Sequence, residues 1–323
     1  MLSRVAERIY WLARYMERAE STARLVNVYS NLLLDLPKSA NVNWETLISI
    51  TGGYPLFGEN SEQPDEKSVT RFLLTQKNNP ASIFNSLIMA RENARTTREI
   101  IPSEAWELVN DLYLYAKDNV NRSASRSGRV DYLKRVISSS QQLTGLLSSC
   151  MSHNSAYDFV VMGRNVERAD MTSRIVDVGA ATLMKKSDST IDIIPYESSL
   201  WMHVLKSLNG YQMYRQHVQD RVNGEDVVQF LLLNEEFPRT ILHCLNVLAS
   251  SSSQLPNHDE CLRTIASVLR RVQQCKIPDL LEKGTLYVFI DNLQMEFANI
   301  HSAIASTWFL KQVEPAQSQI QTA

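Results

Sequence analysis

Residues 12–26 read LARYMERAESTARLV, and residues 162–176 read MGRNVERADMTSRIV. The two stretches lie 150 residues apart, and seven of their fifteen positions are identical. The identical positions are Arg14/Arg164, Glu17/Glu167, Arg18/Arg168, Ala19/Ala169, Thr22/Thr172, Arg24/Arg174 and Val26/Val176. Such self-similarity indicates an internal duplication, in which each half begins with a helix that carries a Glu-Arg pair.

A second correspondence, at an offset of 158 residues, supports the duplication. It pairs Phe72-Leu73-Leu74 with Phe230-Leu231-Leu232, Pro80 with Pro238, and Ile83 with Ile241. We therefore predict an all-α fold in which two internally repeated helical-bundle halves pack as one body. The predicted repeats span residues 1–150 and 151–311, and residues 312–323 form a flexible polar tail.

Apolar residues recur at helical spacing through most of the chain. The predicted helix at 80–101 has Asn79 as its N-cap and Pro80 at its first position. The predicted helices span about 3–33, 41–51, 66–78, 80–101, 103–121 and 126–150 in the first half, and about 152–186, 197–208, 225–234, 238–250, 257–275 and 279–310 in the second.

Composition narrows the class of protein. Glycine and proline number only 10 each in 323 residues, which argues against sandwiches, barrels and long linkers. A net charge of −2 gives no basic excess for nucleic acid or for an anionic membrane. The cysteines and histidines lack the spacing of a metal site, and no apolar run is long enough to span a bilayer. We expect a cytoplasmic protein with no metal, no cofactor, no nucleic acid and no membrane partner.

The repeated charges follow one stripe of each Glu-Arg helix. Arg14, Glu17 and Arg24 lie at i, i+3 and i+10, and Arg164, Glu167 and Arg174 repeat this spacing. Arg14 can reach Glu17 on its own helix. Arg24 lies about 10 Å farther along the axis from Glu17, so we expect Arg24 and Arg174 to find partners elsewhere.

A further basic stripe has no counterpart in the second half. Residues 91–98 read RENARTTR, which places Arg91, Arg95 and Arg98 at i, i+4 and i+7, with Glu92 beside them. Guanidinium groups bind carboxylates and phosphates through paired hydrogen bonds. This stripe therefore suggests contact with an anion.

Three roles remain open for these charges. They can form an ion-pair network between helices, line an anion-binding cleft, or place Glu17 and Glu167 for general acid/base catalysis. The cleft hypothesis expects the two Glu-Arg helices and the helix of residues 91–98 to converge. Its candidate ligand-binding residues are Arg14, Glu17, Arg24, Arg91, Glu92, Arg95, Arg98, Arg164, Glu167 and Arg174.

Several separated motifs together resemble the bacterial alpha-E family, which is all-helical and named for its ER motif. The resemblance covers roughly residues 1–311, and Asn165 stands where the family usually has an aromatic residue. The motifs are MLSRVA at 1–6, YWLARYMERAE at 10–20, ARENAR at 90–95 and GRNVERAD at 163–170.

The resemblance implies a functional setting. Alpha-E proteins are typically encoded beside, or fused to, a circularly permuted ATP-grasp protein, often together with a transglutaminase-like protein. It therefore implies a role in peptide ligation or peptide modification, with no enzymatic activity assigned to the alpha-E component. An anionic peptide or an acyl phosphate would suit the arginine stripes. An amide- or peptide-acting enzyme and a purely structural scaffold are the alternatives.

Overall fold

A computed structural model describes residues 3–35, 43–58, 64–184 and 197–309 of the chain. Within these ranges every regular element is a helix, which confirms the all-α prediction. The predicted tail at 312–323 lies outside the described residues, and the division into two repeats stays a prediction. No helix in these ranges combines the length and the apolar character needed to cross a bilayer.

The first part of the chain contains seven α-helices and one 3₁₀ turn among the described residues. The α-helices are α1 (Ser3–Asp35), α2 (Glu45–Ile50), α3 (Tyr54–Gly58), α4 (Glu66–Leu74), α5 (Ile83–Arg95), α6 (Ser103–Asp118) and α7 (Arg126–Cys150). The 3₁₀ turn, Arg122–Ala124, lies directly before α7.

The second part contains eight α-helices among the described residues. They are α8 (Ser155–Met184), α9 (Glu197–Ser207), α10 (Tyr211–His217), α11 (Gly224–Leu233), α12 (Ile241–Ser253), α13 (Asp259–Gln274), α14 (Ile277–Glu282) and α15 (Leu286–Ile304). A π-helical turn, Ala305–Phe309, continues α15.

The two longest helices, α1 and α8, form the centre of the molecule. They pack on each other more extensively than any other pair of helices, and residues of equivalent position meet, so the two run parallel. Around them, α5 and α7 pack on α1, while α12 and α15 pack on α8. Both Glu-Arg segments therefore lie inside one shared core.

Several predicted helix bounds differ from the structure, and the helices predicted at 80–101 and 279–310 differ most. The helix predicted at 80–101 begins only at Ile83, because Ser82 is its N-cap and Asn79 instead binds the Phe72 carbonyl and the Ala81 amide in a turn. The helix predicted at 279–310 is divided into α14 and α15, because Gly284 adopts a φ of +63° and ends the first helix.

Candidate functional site

The Glu-Arg pairs of α1 and α8 face each other across the helix interface. Arg18 donates to Glu167, with Nε 2.5 Å from Oε1 and Nη2 3.0 Å from Oε2. In return, Arg168 Nε donates to Glu17 Oε2 at 2.9 Å. Adjacent residues on a helix point in different directions and do not face each other, so each glutamate takes the arginine of the opposite helix.

Each of these glutamates accepts from a second arginine. Arg14 Nε lies 2.8 Å from Glu167 Oε2. Arg239 Nη1 lies 2.6 Å from Glu17 Oε1, and its Nη2 lies 2.9 Å from Glu20 Oε1. Because Arg239 lies just before Thr240, the N-cap of α12, these bonds connect the start of that helix to α1.

The cluster is buried, and its carboxylates are held ionised. Glu17 is 3% exposed and Glu167 is 2% exposed. Burial raises the pKa of a carboxyl group, but the charges of Arg18 and Arg14 outweigh it and lower the pKa of Glu167 to about 2. Arg168 and Arg239 likewise outweigh burial and lower the pKa of Glu17.

The outer arginines of the repeated stripe pair within their own helices. Arg24 Nε donates to Glu20 at 2.8 Å, and Arg174 Nε donates to Asp170 at 3.0 Å. The expectation that Arg24 and Arg174 need partners elsewhere is therefore corrected. In each helix the acid lies one turn before the arginine, which is the favourable order for such a pair.

Arg164 departs from the symmetry of the two helices. Its equivalent, Arg14, binds Glu167, but the matching carboxylate, Glu17, is already bound by Arg168 and Arg239. The Nη2 atom of Arg164 is buried and has no hydrogen-bond partner among the described residues. Burial and the neighbouring charge of Arg168 lower the pKa of this guanidinium.

Positive charge is in excess around this cluster. Seven guanidinium groups meet four carboxylates, and most of these side chains are shielded from solvent. The members are Arg14, Arg18, Arg24, Arg164, Arg168, Arg174 and Arg239 with Glu17, Glu20, Glu167 and Asp170. An anion that reached the cluster would offset the surplus charge.

The predicted basic stripe makes its contacts outside this cluster, and it is not one helical stripe, because α5 ends at Arg95 and Arg98 lies in the turn that follows. Arg91 donates to Asn110 at 2.8 Å and Arg98 lies over the Trp106 ring at 4.3 Å, so both are directed toward α6. Arg95 forms a solvent-exposed pair with Glu92. The expected convergence of Arg91, Glu92, Arg95 and Arg98 with the Glu-Arg helices is thus corrected.

Part of this stripe lines a separate groove. Arg95 and Arg98 border an open space of about 770 Å³, and residues 154–156 at the start of α8 form its other side. The groove provides two accessible guanidinium groups on the surface.

Five members of the cluster were not among the candidates predicted from the sequence, namely Arg18, Arg168, Arg239, Glu20 and Asp170. Arg18 and Arg168 are identical in the two stretches, and that identity was the available signal. Arg239 had none, because the offset of 158 places Ala81 at the corresponding position. Among the described residues, no group of histidine, cysteine and acidic side chains is arranged to hold a metal ion.

Comparisons with known proteins agree with the motif. Residues 1–309 match Alpha-E, described as a predicted alpha-helical domain with a conserved ER motif. The chain is similar to the uncharacterized proteins Mb2597 of Mycobacterium bovis and MT2643 of Mycobacterium tuberculosis, each 22% identical over 325 residues. These alignments take in 93% of this chain and 35% of each relative, so the chain spans about a third of their length. No solved structure matches the chain significantly.

Proposed function

We propose, starting from the fact that this chain belongs to the Alpha-E family, that it is a non-catalytic binding module of a bacterial peptide-ligation or peptide-modification system. In this role it binds an anionic ligand through the arginine-rich cluster between α1, α8 and α12. The mycobacterial relatives are about three times as long as the aligned segment, which suits a module that works beside other domains.

The surplus of guanidinium groups in this cluster, all of them buried or half-buried, carries this proposal. An interface that only joined helices would be well served by equal numbers of opposite charges, since an uncompensated buried charge costs several kcal/mol (about 3–5). Here arginines exceed carboxylates by three, and Arg164 Nη2 has no partner among the described residues. A bound anion would compensate part of this excess.

The catalytic alternative fits the geometry less well. A general acid needs a pKa near the working pH, whereas the pKa of Glu167 is about 2 and that of Glu17 is lowered. Both carboxylates are also buried, and each is fixed by two arginines. These glutamates are suited to holding arginines in place.

The partners in this proposal are a circularly permuted ATP-grasp protein and a transglutaminase-like protein, as the family resemblance implies. We assign the partner contact to the groove at Arg95 and Arg98, because both arginines there are accessible to an acidic segment.

Co-purification of the chain with the circularly permuted ATP-grasp protein tests this function. We expect a complex whose dissociation constant rises about tenfold in the double variant Arg95→Ala, Arg98→Ala, because two charges at the edge of the interface are lost. The melting temperature should stay nearly unchanged, since both side chains are exposed.

The matched control is the double variant Arg263→Ala, Arg270→Ala, which removes two exposed arginines from α13. It should leave the complex intact. Failure to form a complex, or equal weakening by both double variants, would overturn the proposed role.

A further inference from the structure

A small cavity lies between α1, α7 and α8, beside the cluster. Its polar lining consists of Glu17 and Glu20 from α1, Ser140 and Thr144 from α7, and Arg164 from α8. The rest of its wall is apolar. The cavity is partly open, and its volume is about 20 Å³.

The cavity has hydrogen-bond donors that lack acceptors. Arg164 Nη2 and Ser140 Oγ are both buried and have no partner among the described residues. Buried polar groups are nearly always hydrogen-bonded in proteins, and a guanidinium can only donate. The missing component is therefore an acceptor.

The acidic residues of the wall do not supply it. Glu17 is bound by Arg168 and Arg239, and Glu20 is bound by Arg24 and Arg239. Glu17 attracts Arg164 electrostatically, and Tyr157 is hydrogen-bonded to the same guanidinium. Only the Nη2 atom of Arg164 therefore remains a donor without a partner among the described residues.

The size of the cavity selects the kind of anion. At about 20 Å³ the cavity has room for a small group only. A planar carboxylate is smaller than a tetrahedral phosphate and therefore fits this space better. Thr144 and Arg164 are only half-buried, which places the mouth of the cavity between α7 and α8.

We propose that this cavity is a subsite for one carboxylate group. The oxygens of the bound carboxylate accept hydrogen bonds from Arg164 and Ser140. The rest of the ligand extends past Thr144 into solvent. This inference rests on the proposed function and narrows the anionic ligand to a carboxylate, such as a peptide terminus or an acidic side chain.

Formate is the probe, because it is the smallest carboxylate. We expect sodium formate to raise the melting temperature of the full chain in a saturable manner at constant ionic strength. The limit on binding energy per atom puts half-saturation on the order of 1 mM or weaker. Inorganic phosphate at the same ionic strength should give no saturable shift.

Three variants locate the effect. Arg164→Gln should weaken formate binding about tenfold or more, because a hydrogen bond between charged groups is lost. Ser140→Ala should weaken it several-fold, and this variant keeps all charges of the cluster in case Arg164→Gln does not fold. Arg270→Gln removes an exposed arginine of α13, outside both the cluster and the groove, and should bind formate as the parent chain does.

The outcomes separate this inference from the proposed function. The subsite is overturned if formate produces no saturable shift, if phosphate acts as well as formate, or if Arg164→Gln and Ser140→Ala bind formate unchanged. Formate binding that depends on Arg164, without any complex with the ATP-grasp protein, would support the subsite and reject the proposed partner. A complex with the ATP-grasp protein, without formate binding, would support the proposed partner and reject the subsite.

Discussion

Glu17 and Arg18 are neighbours in the chain, yet each forms its ion pair with α8. The same holds in reverse for Glu167 and Arg168. In both Glu-Arg dipeptides, the glutamate thus pairs with the arginine of the other, parallel helix. At this scale the sequence is informative about Glu17 and Glu167, but it contains no sign that Arg239 binds Glu17 while Arg164 Nη2 has no partner among the described residues.

Asp177 on α8 is another residue whose charge is poorly accommodated. Its Oδ1 atom is buried and has no hydrogen-bond partner among the described residues. Burial and the nearby charge of Asp291 raise the pKa of Asp177 from 3.8 to about 6. The folded protein therefore binds this proton more tightly than the unfolded chain does.

We predict that Asp177→Asn stabilises the protein at neutral pH. The unfolded chain ionises Asp177 near pH 3.8 and the folded chain near pH 6, so this group costs stability as pH rises through that window. Asn removes the cost. Allowing for partial exposure, we expect a melting temperature about 2 °C higher at pH 7.5 and almost no change at pH 4.

Asp291→Asn provides the control for this prediction. It leaves Asp177 in place, removes its like-charged neighbour and should give a smaller gain at pH 7.5. An equal gain at pH 4 and pH 7.5 for Asp177→Asn would show that ionisation is not the cause.

Between elements, the approach of α1 to α8 depends on Gly163. A Cβ atom added at this position would lie 2.3 Å from the Tyr10 carbonyl oxygen, which is backbone and has little freedom to move. The ion pairs of Arg14 and Arg18 with Glu167 begin one helical turn farther along. The small residue therefore sets the distance across which the charges meet.

We predict opposite effects for two glycine-to-alanine changes. Gly163→Ala forces the two helices apart and should lower the free energy of unfolding by about 1–3 kcal/mol. Gly145→Ala, on an exposed part of α7 with nothing within 4 Å of the new Cβ, should raise it by about 0.5–1 kcal/mol. Urea unfolding measures both.

The pair controls for the change in helix propensity, because both glycines lie inside α-helices. If Gly163→Ala were as stabilising as Gly145→Ala, the close contact with Tyr10 would not constrain the interface.

Helix bounds were predictable where caps and breakers act locally. The helix predicted at 126–150 is α7, and Ser125 caps its first turn. The end of α5 at Arg95 and the break at Gly284 were not predictable from periodicity, since the apolar pattern continues past both positions. Glycine is common just after the end of a helix, so the residue type at 284 indicated a break. Its left-handed conformation, however, depends on the surrounding chain.

At the scale of the molecule, α1 joins helices from both parts of the chain. It packs on α5 and α7 as well as on α8 and α9. The repeated stretches predicted that the two Glu-Arg segments face a common interior, and α1 and α8 bring them together. Arg239 contacts Glu17 in the same interior although the two residues lie far apart in the chain. No local sequence pattern could reveal such a contact.

A double-mutant cycle on Glu17 and Arg168 measures the coupling of the two segments most directly. Glu17→Gln, Arg168→Gln and the double variant are unfolded in urea, and the exposed pair Glu92 and Arg95 serves as the control cycle. Because Glu17 and Arg168 form a buried ion pair between the two helices, we predict a coupling free energy of about 1–3 kcal/mol between them. This value should lie far above that of the control pair. Additive effects, with a coupling near zero, would contradict the exchange of ion pairs between α1 and α8.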